Sequence, residues 1–270
     1  MMRLDFTSRA ARRGIAACAL ITAAACSDKI TNSSGVPTFT PNAIVTHAGL
    51  QAALTTAVSS TNGGLDFPMW ATVVDRAGVV VAVANSGPAV DDQWLGSRAI
   101  SAQKANTAND FSLDKFALST ANLFSAVQPG GSLFGLQESN PVSTDVVYGG
   151  DQAQYGTDTD FMIGKKPGGV NVFGGGLALY DATTGEVVGA VGLSGDTSCA
   201  DHNIAWRVRD ALGMDKVSAG VAGPGKDNII FDIDPVTGKS AGGFGHPTCL
   251  GGAADSTMGT NLPTTYPLTP

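Results

Sequence analysis

Two pairs of short, β-branched or glycine-rich runs, about a hundred residues apart, constrain this chain most. Met69–Val74 and Gly78–Ala84 are joined by Asp75-Arg76-Ala77-Gly78. Gly176–Tyr180 and Glu186–Leu193 are joined by Asp181-Ala182-Thr183-Thr184-Gly185. Runs of this length around polar, glycine-ended turns are hairpin signals, and hairpins build antiparallel sheets. The segments between and after them carry helical patterns. Asp91–Asp110 is alanine-rich, and Ala99, Ala102 and Ala105 would let a helix approach a sheet closely. Leu113–Val127 reads as a second helix, stopped by Pro129-Gly130-Gly131, and Thr197–Leu212 carries an Ile204, Val208, Ala211 stripe. Upstream, Thr40-Pro41 offers an N-cap and a first-turn proline for a helix over 42–58 with the stripe Ala43, His47, Leu50, Leu54, Ala57. Asn228–Ile233 adds a short strand, and the rest of the tail is turn-rich. The expectation is an α+β fold: an antiparallel sheet of about five strands covered by helices.

The N-terminus indicates export. Arg3, Arg9, Arg12 and Arg13 precede an apolar run from Gly14 to Ala25, far short of the ~20 residues of a membrane-spanning helix. Residues 1–25 therefore read as a signal peptide. Ala23-Ala24-Ala25-Cys26 resembles the lipobox of bacterial lipoproteins, which implies lipidation at Cys26. Residues 26–41, rich in Ser, Thr, Asn, Gly and Pro, read as a flexible tether. Without residues 1–25 the chain has 12 Lys+Arg against 22 Asp+Glu. That balance excludes nucleic acid as a partner and leaves the lipid anchor as the membrane contact.

Removing the signal and assigning Cys26 to the anchor leaves Cys199 and Cys249. In an oxidising compartment two cysteines make one disulfide, which would pin residues 215–270 to the domain as a C-terminal extension. Each cysteine lies three residues from a histidine, as Cys199-x-x-His202 and His246-x-x-Cys249. The two imidazoles would ligate haem iron or a metal, or merely hydrogen-bond beside the bridge. A Cys₂His₂ zinc site uses the same residues, but export favours the disulfide.

Four segments, in register, resemble the GlcG/HbpS-like haem-binding family: Ala71–Gly78, Ala102-Gln103-Lys104-Ala105-Asn106-Thr107-Ala108, Pro129–Leu136, and Phe173–Leu179 leading into Val188–Gly195. The resemblance covers residues 43–213. It implies a helix-covered sheet, frequent homo-oligomers, and haem or another tetrapyrrole as ligand, with 42–214 as the domain and 137–170 as a long surface-loop insertion. No iron-ligand motif of the family maps onto this chain. The resemblance makes Lys104, from the helix motif, a candidate grip for a haem propionate; a surface lysine is the alternative. Gly130, Gly131, Phe134, Gly174 and Gly175 are further candidate ligand contacts, the glycines through close backbone approach or, equally, as tight turns.

Other patterns read as structural. His47 lies on an apolar stripe as a core or rim histidine, and the D-x-D pairs Asp158/Asp160 and Asp232/Asp234 read as solvated turns. Ser194-Gly195 lacks the nucleophile-elbow pattern. Three functions remain open: a haem- or tetrapyrrole-binding envelope lipoprotein for sequestration, transfer or sensing; a small-molecule lyase or degrading enzyme using the same pocket; or a structural or partner-binding envelope module.

Overall fold

The computed structural model describes residues 35–250 and 253–270. The expected signal peptide, Cys26 and most of the expected tether lie outside the described residues. The elements run α1 (His47–Val58), β1 (Trp70–Asp75), β2 (Val80–Asn85), α2 (Ser97–Phe111), the single turns α3 (Leu136–Ser139) and α4 (Thr144–Val147), β3 (Gly176–Tyr180), β4 (Val187–Ser194), α5 (Ser198–Ala211) and α6 (Ala253–Thr265). Both hairpins form. They join through β1 and β4 into one antiparallel sheet, ordered β2-β1-β4-β3.

Helices cover both faces of the sheet, which is why every residue of β1 is buried. On one face α1 and α5 press Leu50, Leu54, Ile204 and Trp206 against Ala71, Val73, Leu177 and Leu193. On the other, the alanines of α2 meet Val74, Val83 and Ala190. The approach is as close as the small side chains allow: a Cβ at Gly192 would lie 2.0 Å from the Ser101 carbonyl oxygen. Residues 36–270 form one compact unit, and no described helix is long and apolar enough to cross a membrane.

Six expectations are corrected. The sheet has four strands, because 228–233 contributes only an isolated bridge between Ile233 and Ser240. The first helix begins at His47, capped by the Thr46 hydroxyl accepting from Gly49 N–H, while Asn42 N–H donates to Asp75. Residues 113–127 are not a long helix but two 3₁₀ turns, 120–123 and 125–127. There the side chains of Ser119, Thr120 and Asn122 bind backbone groups, including Gly176 N–H and the Asn228 carbonyl, and so compete with helix formation. The 137–170 segment is more than a surface loop: Val146, Val147 and Met162 are buried against α2. Asp160, read as a solvated turn residue, is buried and paired with Arg98 at 2.5 Å. The tail, finally, contains the helix α6.

The disulfide Cys199–Cys249 is present, with Cα atoms 6.0 Å apart. A second clasp on the tail is the buried ion pair of Arg209 and Asp227.

Candidate functional site

The site is built where the C-terminal end of β4 delivers the chain into α5, beneath the first turns of α2. Thr197 caps α5 by accepting from Ala200 N–H. This fixes the helix start so that Ser198 and Asp201 sit on the side facing α2. Lys104, two turns into α2, is wholly buried and reaches Asp201 at 2.6 Å and the Leu193 carbonyl at 2.9 Å. The alternative of a surface lysine is therefore excluded. Burial raises the Asp201 carboxyl to about 6 and lowers the Lys104 ammonium, each against the attraction of its partner. An ammonium has three donors, and these two bonds leave one for a ligand.

Above the pair is a cavity of about 300 Å³ whose wall includes Trp94, Ile100, Lys104, Phe173, Ser198 and Asp201. Trp94 and Phe173 stay about half exposed, so the mouth carries two aromatic faces. The volume is at the lower end of small-molecule pockets. A larger open cleft of about 800 Å³ lies among tail residues such as Ile229, Phe231 and Phe244, with Asp232 as its charged group. We assign the site to the smaller cavity, because its buried charges and hydroxyls converge there.

The glycines of 174–176 permit this convergence. A Cβ at Gly174 would meet the Ser198 carbonyl oxygen at 2.3 Å, and one at Gly175 would meet Leu193 O at 2.4 Å and Lys104 Nζ at 3.2 Å. Gly174 and Gly175 are thus brought together with Lys104. Gly130, Gly131 and Phe134 are not in the cavity wall: Gly130 makes a positive-φ turn, and Phe134 is exposed.

Neither His202 nor His246 lines the cavity. His202 is fully buried in α5, with Nε2 at 3.1 Å from both Ile229 N–H and Asn228 Oδ1. Its Nδ1 has no partner. Both nitrogens of His246 are engaged, Nε2 with Ser198 Oγ at 2.7 Å and Nδ1 with the Pro247 carbonyl at 2.7 Å. Burial lowers each imidazole to about 4, so both are neutral at pH 7. The sulfurs of Cys199 and Cys249 lie within 4.8 Å of a His246 nitrogen, but the disulfide consumes both thiolates that a metal would need. His47 bonds the Gly156 carbonyl at the rim of α1.

Residues 45–209 match the family described as haem degrading protein HbpS-like. The chain belongs to that family. Every residue of the Lys104 cavity falls within the HbpS-like segment, whereas the larger tail cleft falls outside it. The HbpS-like chain is 29% identical, over 148 residues, to an uncharacterized 15.0 kDa protein of the dhaT–dhaS intergenic region of Citrobacter freundii, covering 55% of this chain and 78% of that one. Among solved structures, Klebsiella pneumoniae ORFY is 26% identical over 62% of this chain and 90% of its own, with a TM-score of 0.42. PduOC in complex with heme is 25% identical over 61% and 89%, TM-score 0.42. A double mutant of Streptomyces reticuli HbpS is 15% identical over 77% and 99%, TM-score 0.43.

Trp94, Ser198 and Asp201 did not stand out in the sequence. Ser198 and Asp201 look like ordinary first-turn helix residues, and no sequence signal singles them out.

Proposed function

We infer that this HbpS-like domain binds haem or a related tetrapyrrole at the Lys104 cavity, as a lipid-anchored protein of the cell envelope. The observation that carries the reading is the convergence, inside the family segment, of a buried lysine with two half-exposed aromatic rings. These residues fit the periphery of a tetrapyrrole. Trp94 and Phe173 would pack on the macrocycle, and the remaining N–H of Lys104 would meet a carboxylate as a point charge. They do not fit its iron, because neither His202 nor His246 belongs to the cavity wall, and His246 has both nitrogens hydrogen-bonded to protein partners. Export and anchoring rest on the basic start, the Ala23-Ala24-Ala25-Cys26 pattern and a disulfide of the kind found in oxidising compartments.

Titration with haem, followed by absorbance and Trp fluorescence, tests the reading. The expected result is a saturable Soret shift that weakens in Trp94→Ala and Phe173→Ala while His47→Ala leaves it unchanged. No saturable shift would overturn it.

The Lys104–Asp201 pair favours a second reading, a degrading enzyme or lyase using the same cavity. Progressive bleaching of bound haem with a reductant and oxygen, abolished in Lys104→Met, would support turnover; a stable Soret band would support binding alone.

A further inference from the structure

Ser198 and His246 come from opposite ends of the disulfide-closed loop and meet just behind the cavity wall, which Ser198 lines and His246 does not. Ser198 is half-buried and contributes to the cavity wall. Its Oγ lies 2.7 Å from His246 Nε2 and 2.6 Å from Gly174 N. His246 Nδ1 lies 2.7 Å from the carbonyl oxygen of Pro247. With the imidazole neutral, the network admits one set of proton positions. A backbone N–H can only donate and a carbonyl can only accept. Gly174 therefore donates to Oγ, His246 Nδ1–H donates to Pro247, and the Ser198 hydroxyl donates to the lone pair on Nε2.

This is the arrangement of an activated nucleophile: hydroxyl and base in hydrogen-bond reach, with the base oriented by a third group. The ring of His246 is steadied by Phe124, with centroids 5.0 Å apart. The bridge of the neighbouring Cys199 to Cys249 ties both partners to one covalent frame.

We propose that Ser198 and His246 form a catalytic dyad that hydrolyses small esters with an apolar acyl group, seated against Trp94, Ile100 and Phe173. Ser198 Oγ bonds to the ester carbonyl carbon as its proton passes to His246 Nε2. The C–O bond to the alcohol then breaks, and the leaving oxygen takes that proton. Water attacks the acyl-serine, His246 accepts its proton and returns one to Oγ, and the acid departs. Lys104 supplies positive charge to the developing oxyanion. His246, held neutral by burial, has its lone pair available at pH 7. The inference goes beyond tetrapyrrole binding and stands whether or not haem binds.

The test is covalent labelling of the purified, disulfide-bonded protein with a fluorophosphonate, read by intact mass and peptide mapping, beside hydrolysis of p-nitrophenyl butyrate. One phosphonyl adduct on Ser198 is expected. It should be absent in Ser198→Ala, retained as a thiol-directed reaction with an alkylating probe in Ser198→Cys, and slowed by about 10²-fold or more in His246→Gln. Circular dichroism establishes that each variant is folded. An unlabelled wild-type protein under excess probe, or equal labelling and hydrolysis in folded Ser198→Ala, would overturn the dyad. Normal labelling rates in folded His246→Gln would overturn the role of the base.

Discussion

Arg209 and Asp227 form a two-pronged ion pair at 2.6 and 2.9 Å with both side chains completely buried. Arg209 belongs to α5 and Asp227 to the extension beyond the family segment, so the pair ties tail to domain from within. Removing one partner leaves the other charge buried without compensation. Asp227→Asn or Arg209→Met is expected to lower unfolding free energy by about 3–5 kcal/mol, whereas an apolar replacement of both should lower it much less. Urea denaturation of the two single variants and the double variant checks this. Additive losses in the double variant would show that the pair itself is not the source.

The disulfide closes a loop of 50 residues. On the chain-entropy account, a loop of that length is worth about 4 kcal/mol. Cys199→Ser should lose stability of that order. It should also loosen His246 from Ser198, so mild reduction is expected to suppress fluorophosphonate labelling along with the melting temperature. Unchanged labelling after full reduction would separate the dyad from the bridge.

Acid should destabilise the fold between about pH 6.5 and pH 4. His202 and His246 have folded values near 4, lowered by burial from an ordinary 6.5. Across that window the unfolded chain binds two protons that the folded chain refuses, so stability falls as pH falls. Asp201 acts with the opposite sign. Raised by burial from 3.8 to about 6, it takes a proton first in the folded state and recovers stability below about pH 6, over most of the same window. Each group carries roughly 3 kcal/mol, so two histidines outweigh one carboxyl and the net change is a loss. Denaturation at about pH 7 and about pH 4.5 measures it. His246→Gln should shallow the slope, and a flat profile in the wild-type protein would contradict the burial of both rings.

Much of the architecture was legible because it is local. Both hairpins follow from short apolar runs around turn residues, and α2 and α5 follow from periodic stripes with a cap or small residues. The long helix expected over 113–127 failed because Ser119, Thr120 and Asn122 find backbone partners far along the chain, which propensity cannot weigh. The same limit hid most of the site. Lys104, Gly174 and Gly175 stood out through family resemblance, but Ser198 and Asp201 resembled capping residues, and His246 resembled an iron ligand until its two hydrogen bonds were placed.

Interactions spanning a few residues, such as a period-two run or the Thr197 cap, are written in the sequence itself. Which buried groups face one another was decided by tertiary structure alone. Lys104 and Asp201 are 97 residues apart, and Ser198 and His246 are 48 apart. The first depends on the distance between α2, β4 and α5, where Gly175 and Gly192 admit backbone that a larger side chain would hold apart; the second depends on the Cys199–Cys249 bridge bringing the tail against α5. Contacts of this kind are properties of segments packed together in space, and no single segment carries their signal.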